Sequence, residues 1–288
     1  MFARKIARRC LALLATALLG GLLSATFARF APGFEADEAQ LDEHLNSESI
    51  QALRTARSQQ KNIAVFYFDF LKRAAHGDLG TSLTLRQPVS RLLRERGPLT
   101  LRLIAVGLLM SWATATFLAV SAAWWRLAAY DAFATIISSL LLCLPAAVLG
   151  LLAILWSVPA ALALAAIVFP RDFRYARNLL AKAYSLPHIL AARAQGLREW
   201  RILLWHVIPV AGPQLLALAG VSVSLAIGAV IPIEALCGLA GVGQLAWQAA
   251  LARDLPLLVN ITVLVTLVTL LANTAADLIG NMLGGQQL

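Results

Sequence analysis

The chain has 288 residues, of which 60% are hydrophobic and only 14% charged, with a mean hydropathy of +0.75. A soluble domain of this length carries about 25% charge, so these proportions exclude an ordinary water-soluble fold and make lipid the natural solvent. A net charge of +9 would suggest nucleic acid in a soluble protein, but here Arg and Lys stand beside apolar runs, as topology signals and anionic-lipid contacts do.

The N-terminus opens with Arg4, Lys5, Arg8 and Arg9, followed by an apolar stretch from Leu11 to Phe27. A cleaved signal peptide has the same layout. However, Ala25-Thr26-Phe27-Ala28 is a poor small-residue cleavage site and further apolar runs follow, so residues 1–29 are expected to form a tail and an uncleaved first transmembrane helix. Residues 30–97 are expected to lie outside as a periplasmic segment. Its first half is acidic (Glu35, Asp37, Glu38, Asp42, Glu43, Glu48). Ile63, Phe66, Tyr67, Phe70 and Leu71 then recur at helical spacing, and Gly77 can end that helix. The resulting apolar stripe is expected to pack on the outer ends of the spans.

Residues 98–288 read as a core with five more helices. Leu103–Trp125 is charge-free and long enough for the second span. Ala132–Pro170 is also charge-free but too long for one span. It is read as two helices with a turn at Trp156-Ser157-Val158-Pro159, because proline disfavours helix at the residue before it and tryptophan prefers the interface. The fourth span is then short at Pro170; either it runs on into the charged segment or the turn lies earlier. Ile202–Pro232 is expected to form the fifth span, with Pro209 and Pro213 in its first turns, and Leu255–Ala276 the sixth. The run from Glu234 to Arg253 holds Gly238, Gly241 and Gly243 and is read as a loop and short helix dipping back at the outer face. The expected fold class is therefore all-α: a polytopic membrane protein with six transmembrane helices. With the N-terminus inside, the inner segments carry Arg4, Lys5, Arg8, Arg9, Arg126, Arg171, Arg174, Arg177, Lys182, Arg193, Arg198 and Arg201, whereas the short outer loops carry only Arg253. This places both termini in the cytoplasm.

Chemical motifs are sparse. Cys10, Cys143 and Cys237 are not paired by spacing and His44, His76, His188 and His206 are scattered, so neither a disulfide framework nor a metal site is expected. There is no phosphate loop of the Gly-x-x-x-x-Gly-Lys-Ser/Thr type and no paired nucleophile and base, so the chain is not read as an enzyme and no cofactor is expected. Glu234 and Asp277 are read as interfacial groups at span ends, and Arg102 as a snorkelling side chain. Ser111, Thr114, Ser222, Ser224 and other small or hydroxyl residues are read mainly as helix-packing positions.

The long inner loop, 171–206, reads as helix interrupted at Pro187 and Gly196. Ala191, Ala192 and Ala194 give a short helix with a small-residue surface, Gly196 breaks it, and Leu197 and Trp200 supply apolar grip beyond. Small residues permit close backbone approach and the glycine a sharp exit, which suits docking into a groove on a soluble partner. An ordinary surface loop fits the same residues equally well.

These stretches resemble the permeases of binding-protein-dependent ABC importers, in particular the oligopeptide, dipeptide and nickel type. That family carries a cytoplasmic signature of Glu-Ala-Ala, glycine four positions after the last alanine, nine residues, and Ile-x-Leu-Pro; Ala191-Ala192, Gly196 and Pro209 stand at those spacings. Ala192, Arg193, Ala194, Gly196, Leu197 and Glu199 match the peptide-importer variant, and His206-Val207-Ile208-Pro209 its His-Val-Leu-Pro. Gly77-Asp78-Leu79-Gly80-Thr81-Ser82, Pro88-Val89 and Pro98-Leu99-Thr100-Leu101 are similar to the family's segment before the second span. Glu234 to Gly243, with Gly241 and Gly243, and Arg253-Asp254-Leu255-Pro256 are similar to its outer-loop motifs. Leu190 departs from the first charged position of the signature, as do Gln195, Arg198, Cys237 and Ala240 at theirs.

The resemblance implies a type I importer transmembrane domain in the bacterial inner membrane, translocating a solute such as a peptide. It implies a second permease subunit, two cytoplasmic ATP-binding subunits and a periplasmic solute-binding protein. It makes Ala191, Ala192, Arg193, Ala194, Gly196, Leu197 and Glu199 the ATPase-coupling helix, and Glu234, Gly241, Gly243, Arg253 and Asp254 an outer-loop motif. A lone ion-driven carrier would need acid, base or metal groups inside the spans, of which the sequence shows almost none. A non-transporting scaffold derived from a permease is the remaining alternative.

Overall fold

The computed structural model describes residues 15–16, 18–24, 26–27, 63–125 and 128–284. The basic N-terminal residues and the acidic first half of segment 30–97 lie outside them. Among the described residues the named elements are all helical, with one isolated bridge between Thr81 and Pro88. In chain order they are α1 (Ile63–Ala75), α2 (Val89–Trp125), α3 (Ala128–Cys143), α4 (Ala146–Leu155), α5 (Ala160–Tyr184), α6 (Pro187–Ala194), α7 (Glu199–Ile202), a π-helical turn (Leu203–Val207), α8 (Ile208–Leu236), α9 (Val242–Leu251) and α10 (Leu255–Gly284). Parts of 15–27 are also helical.

Among the described residues three helical stretches are long and apolar enough to cross a membrane: Val89–Trp124, Glu199–Leu236 and Leu255–Gly280. The pair α3 and α4 adds a fourth if it counts as one span, but it is bent by 100°. The chain is thus an all-helical membrane protein.

The bend corrects the expectation of one unbroken third helix. It falls at Leu144-Pro145, where the proline has no N–H for the helical ladder and its ring pushes the preceding residue out of helical conformation. The turn at Trp156–Pro159 is present, and α5 then runs for 25 residues through Pro170 to Tyr184. The fourth helix therefore continues into the charged segment. Arg171, Asp172, Arg174 and Arg177 in its second half are what keep it from reading as a span by composition. The second helix also begins earlier than its charge-free stretch, at Val89, and includes Pro98.

Two compact units are distinct: residues 1–98 with 240–268, and residues 99–239 with 269–288. In the first, Tyr67 and Phe70 of α1 are buried with Val259, while Phe68 on the opposite face is exposed. This is the stripe read from the spacing, and the Tyr67 hydroxyl donates to the Leu18 carbonyl at 2.5 Å. A second cluster joins Val89, Leu92, Leu245, Ala249, Leu257 and Ile261.

In the second unit, α5 and α8 pack together with α4 through Ala153, Ala163, Leu164, Val168, Ala226 and Val230. A further cluster is rich in alanine: Ala115, Ala119, Ala134, Ala176, Ala183, Ala192 and Ala211 surround Phe173, Ile189 and Ile202. Lipid gives apolar side chains no incentive to leave it, so helices associate through close van der Waals packing, which small residues allow. At Gly220 the approach is close, since an added Cβ would come within 2.8 Å of Ala276 and 3.0 Å of the Asn273 side chain. The Asn273 amide donates across to Ser224 Oγ at 2.9 Å.

Candidate functional site

The arm begins where α5 ends. Pro187 stands in the first turn of α6, where its missing N–H costs nothing and its fixed φ favours the helix. Ile189 and Ala192 turn inward and are buried, whereas Leu190, Ala191 and Ala194 face out. The helix closes with two backbone bonds, Leu197 N–H to the Ala192 carbonyl at 3.2 Å and Gly196 N–H to Arg193 at 2.9 Å. This is a Schellman turn, which requires a left-handed residue. Gly196 supplies it at φ +77°, and Leu197 packs back on the alanine-rich cluster.

Arg193 ties the arm together. Its Nε and Nη2 donate to Glu199 at 2.7 and 3.2 Å, and its guanidinium lies 5.7 Å over the Tyr184 ring. The bond from Glu199 holds Arg193 above its ordinary pKa. The residues from Ala191 to Glu199 thus form one continuous arm. Trp200 stays exposed with Arg201 over its ring at 5.2 Å, so of the two expected gripping residues only Trp200 faces outward. After α7 the chain widens into the π turn. His206 in that turn stacks with His188 at 6.4 Å, and its Nδ1 has no partner among the described residues.

The outer-loop residues divide between the two units. Glu234 belongs to the second unit; Gly241, Gly243, Arg253 and Asp254 belong to the first. Glu234 stands two residues from the end of α8, as expected, but it is fully buried rather than interfacial, and Thr100 Oγ1 donates to it at 2.7 Å. An unpartnered charge there would be costly, so the two segments that supply Thr100 and Glu234 are fixed as a pair.

In the first unit, Gly241 precedes α9 in extended conformation and Gly243 is buried in its first turn. Asp254 is almost completely buried and accepts from Ser82 Oγ at 2.5 Å, Thr84 N–H at 3.0 Å and Leu257 N–H at 3.2 Å. The last of these bonds is a helix N-cap. Asn260 Nδ2 donates to the Leu79 carbonyl at 2.9 Å. The Gly77–Ser82 and Arg253–Pro256 motifs, far apart in sequence, are therefore one clip.

Two features were not foreseen. Asp172, inside α5, is fully buried and accepts from Ser111 Oγ at 2.7 Å and Ser222 Oγ at 2.5 Å, joining α2, α5 and α8. Ser111 and Ser222 pack helices as expected, but they do so through this carboxylate. Asp131 at the start of α3 pairs in bidentate fashion with Arg177 of α5. The available signal was an acidic residue between Arg171 and Arg174 directly after an apolar run. No group of three or more His, Cys, Asp or Glu among the described residues is placed to hold a metal.

Residues 115–285 match the family described as the binding-protein-dependent transport system inner membrane component. The chain belongs to that family. Similar proteins include one named as a peptide transport system permease of Brucella abortus, 27% identical over 235 residues that cover 73% of this chain and 75% of the relative. The nickel import system permease protein NikB of Staphylococcus aureus is 23% identical over 276 residues, covering 90% and 84%. Among solved structures, a chain of the inward-facing MetNI methionine ABC transporter aligns with a TM-score of 0.58 at 20% identity, covering 67% of this chain and 97% of that one. That likeness shows the fold, an ABC importer transmembrane domain.

The chain is accordingly an inner-membrane, multi-pass permease subunit of a binding-protein-dependent ABC importer. It works with ATPase subunits, in which ATP hydrolysis lies, and with a solute-binding protein.

Proposed function

We propose that this permease moves a peptide-like solute, and that the arm from Ala191 to Glu199 is its coupling helix. The observation that carries this reading is the exposed helix α6, turned sharply at Gly196 and braced by the Arg193–Glu199 pair. Such an arm presents Leu190, Ala191, Ala194 and Trp200 to a partner while its base stays anchored through Ile189, Ala192 and Leu197. A groove on an ATPase subunit that receives the arm transmits the closure of the ATPase pair to α5 and α8, and the helices alternate between inward- and outward-open states.

In this reading six helices cross the membrane, with residues 1–29 providing the first, residues 30–97 lying in the periplasm, and both termini in the cytoplasm. Residues 98–288 form the core, and a related second permease completes the path. Gly241, Gly243, Arg253 and Asp254 shape an outer face that meets the binding protein. The names of the Brucella and Staphylococcus relatives support a peptide or nickel-complex cargo.

The test begins with co-purification of the tagged chain from mild detergent and an ATPase assay on the eluate. Nucleotide-binding subunits and a second permease are expected in it. Gly196→Asp places a carboxylate at the negative end of α6 and a side chain at a left-handed backbone position. It is expected to abolish uptake while leaving membrane insertion intact; normal uptake in that variant would sink the coupling role.

A further inference from the structure

The second unit contains a cavity of about 730 Å³ bounded by α5, α8 and the α3–α4 corner. One wall is a row on a single face of α5: Arg171, Arg174, Tyr175 and Asn178, spaced i, i+3, i+4, i+7 as one helical face demands. The facing wall on α8 is neutral, with Ser224, Leu225, Gly228 and Ala229. A Cβ added at Gly228 would meet nothing within 4 Å. The rest of the lining is aliphatic and none of it is acidic. Asp172, between the two arginines in sequence, is engaged by Ser111 and Ser222 in the core and does not line the cavity.

Depth decides what such a cavity takes. Arg171 lies eleven residues beyond Ala160, about 17 Å along the helix at ~1.5 Å per residue. The turn before Ala160 carries the exposed Trp156, the residue type that marks a membrane interface. The hydrocarbon layer is about 30 Å thick, so on the six-span reading Arg171 stands just past its middle and Arg174, about 21 Å along, nearer its far side. Arginine at that depth is costly and marks a solute pathway by default.

We propose that Arg171 and Arg174 form a subsite for the carboxylate of the transported solute, with Tyr175 and Asn178 as neutral hydrogen-bonding groups and the aliphatic lining accepting the solute's apolar body. The inference rests on the reading of the chain as a solute permease. Two guanidinium groups hold a carboxylate by charge-assisted bonds. The open cavity leaves the solute a way out, which a transport site needs.

The test uses the assembled importer with Cys10, Cys143 and Cys237 replaced by serine and Gly228→Cys introduced. The labelling rates of Cys at 228 by an anionic sulfonatoethyl and a cationic trimethylammonium-ethyl methanethiosulfonate are compared with those of a free thiol. A preference for the anionic reagent of about tenfold is expected from the local positive field. It should disappear in Arg171→Gln/Arg174→Gln and persist in Arg171→Lys/Arg174→Lys, which controls for folding.

Dialanine with a free C-terminus should slow labelling, and its C-terminal amide should not. Charge-independent labelling, equal protection by acid and amide, or no labelling because another subunit covers the site would each overturn the proposal. So would slowing by phosphatidylglycerol nanodiscs relative to phosphatidylcholine without a dialanine effect, which would assign the arginines to lipid. Binding-protein-stimulated ATPase activity of the unsubstituted importer tests the permease reading separately: if it is present while the labelling tests fail, only the subsite falls.

Discussion

Helices α6 and α9 close with the same pair of backbone bonds. In α6 they run from Leu197 and Gly196 to Ala192 and Arg193; in α9 they run from Asp254 and Arg253 to Ala249 and Ala250. The residue at the left-handed position differs. Gly196 adopts φ +77° without strain, whereas Arg253 is held at φ +55°, where a side chain costs about 1–2 kcal/mol.

The surroundings explain why each is tolerated. The residue after Arg253 is the buried Asp254, fixed by three hydrogen bonds, so the outer turn is over-determined and absorbs the strain. The turn at Gly196 is held more lightly, by a partly exposed ion pair, the Arg193–Tyr184 contact and the half-buried Leu197, so a strained residue there would be less well compensated. One turn belongs to a clip; the other, in the reading proposed above, belongs to a moving part.

The sharpest way to break the comparison is Asp254→Ala. It leaves the Ser82 hydroxyl and two backbone N–H groups without their acceptor and removes a helix cap, a loss of about 3 kcal/mol. It should appear as a clear drop in the thermal midpoint of the detergent-solubilised protein.

Gly196→Val comes next, at about 2 kcal/mol. The loss should stay local, as faster amide exchange in residues 187–202 with the global midpoint little changed. A global loss as large as that of Asp254→Ala would mean the two turns are not different in kind.

Arg253→Gly should relieve strain, offset by greater freedom of the unfolded chain, for a net gain of about 1 kcal/mol at most; a marked loss would show that the side chain itself holds the turn. Arg193→Ala is expected to cost less than about 1 kcal/mol of stability, because its partner Glu199 is partly solvated. Uptake should nonetheless fall well below wild type.

Much of this was legible in the sequence because membrane folds advertise their helices as charge-free runs, and because glycine and proline mark turns by what they cannot or need not do. The α1 stripe, the Trp156–Pro159 turn, the helix break at Gly196 and the short helix after Gly241 all follow from such local rules. Pro145 was missed because it sits inside a continuous apolar run, where hydropathy gives no hint of a corner. The length of α5 stayed open because its charged half looks like a loop until Asp172 is seen bonded to two serines in the core. The Ser82–Asp254 clip and the Thr100–Glu234 bond join residues more than a hundred positions apart. No periodicity carries that information; the resemblance flagged these segments without saying that they touch.

The π turn at Leu203–Val207 has a mechanical consequence. A π turn carries one residue more than the α-helix needs over the same rise, and each residue of an α-helix turns the chain by about 100°. Everything preceding it, α7 and the arm with it, is therefore set about 100° away from where a continuous α8 would point it. If that extra residue is absorbed or passed along the helix, a push along the axis becomes a rotation of the arm. Deleting a single residue from 203–207 should restore a continuous α-helix and turn the arm by about 100° relative to α8.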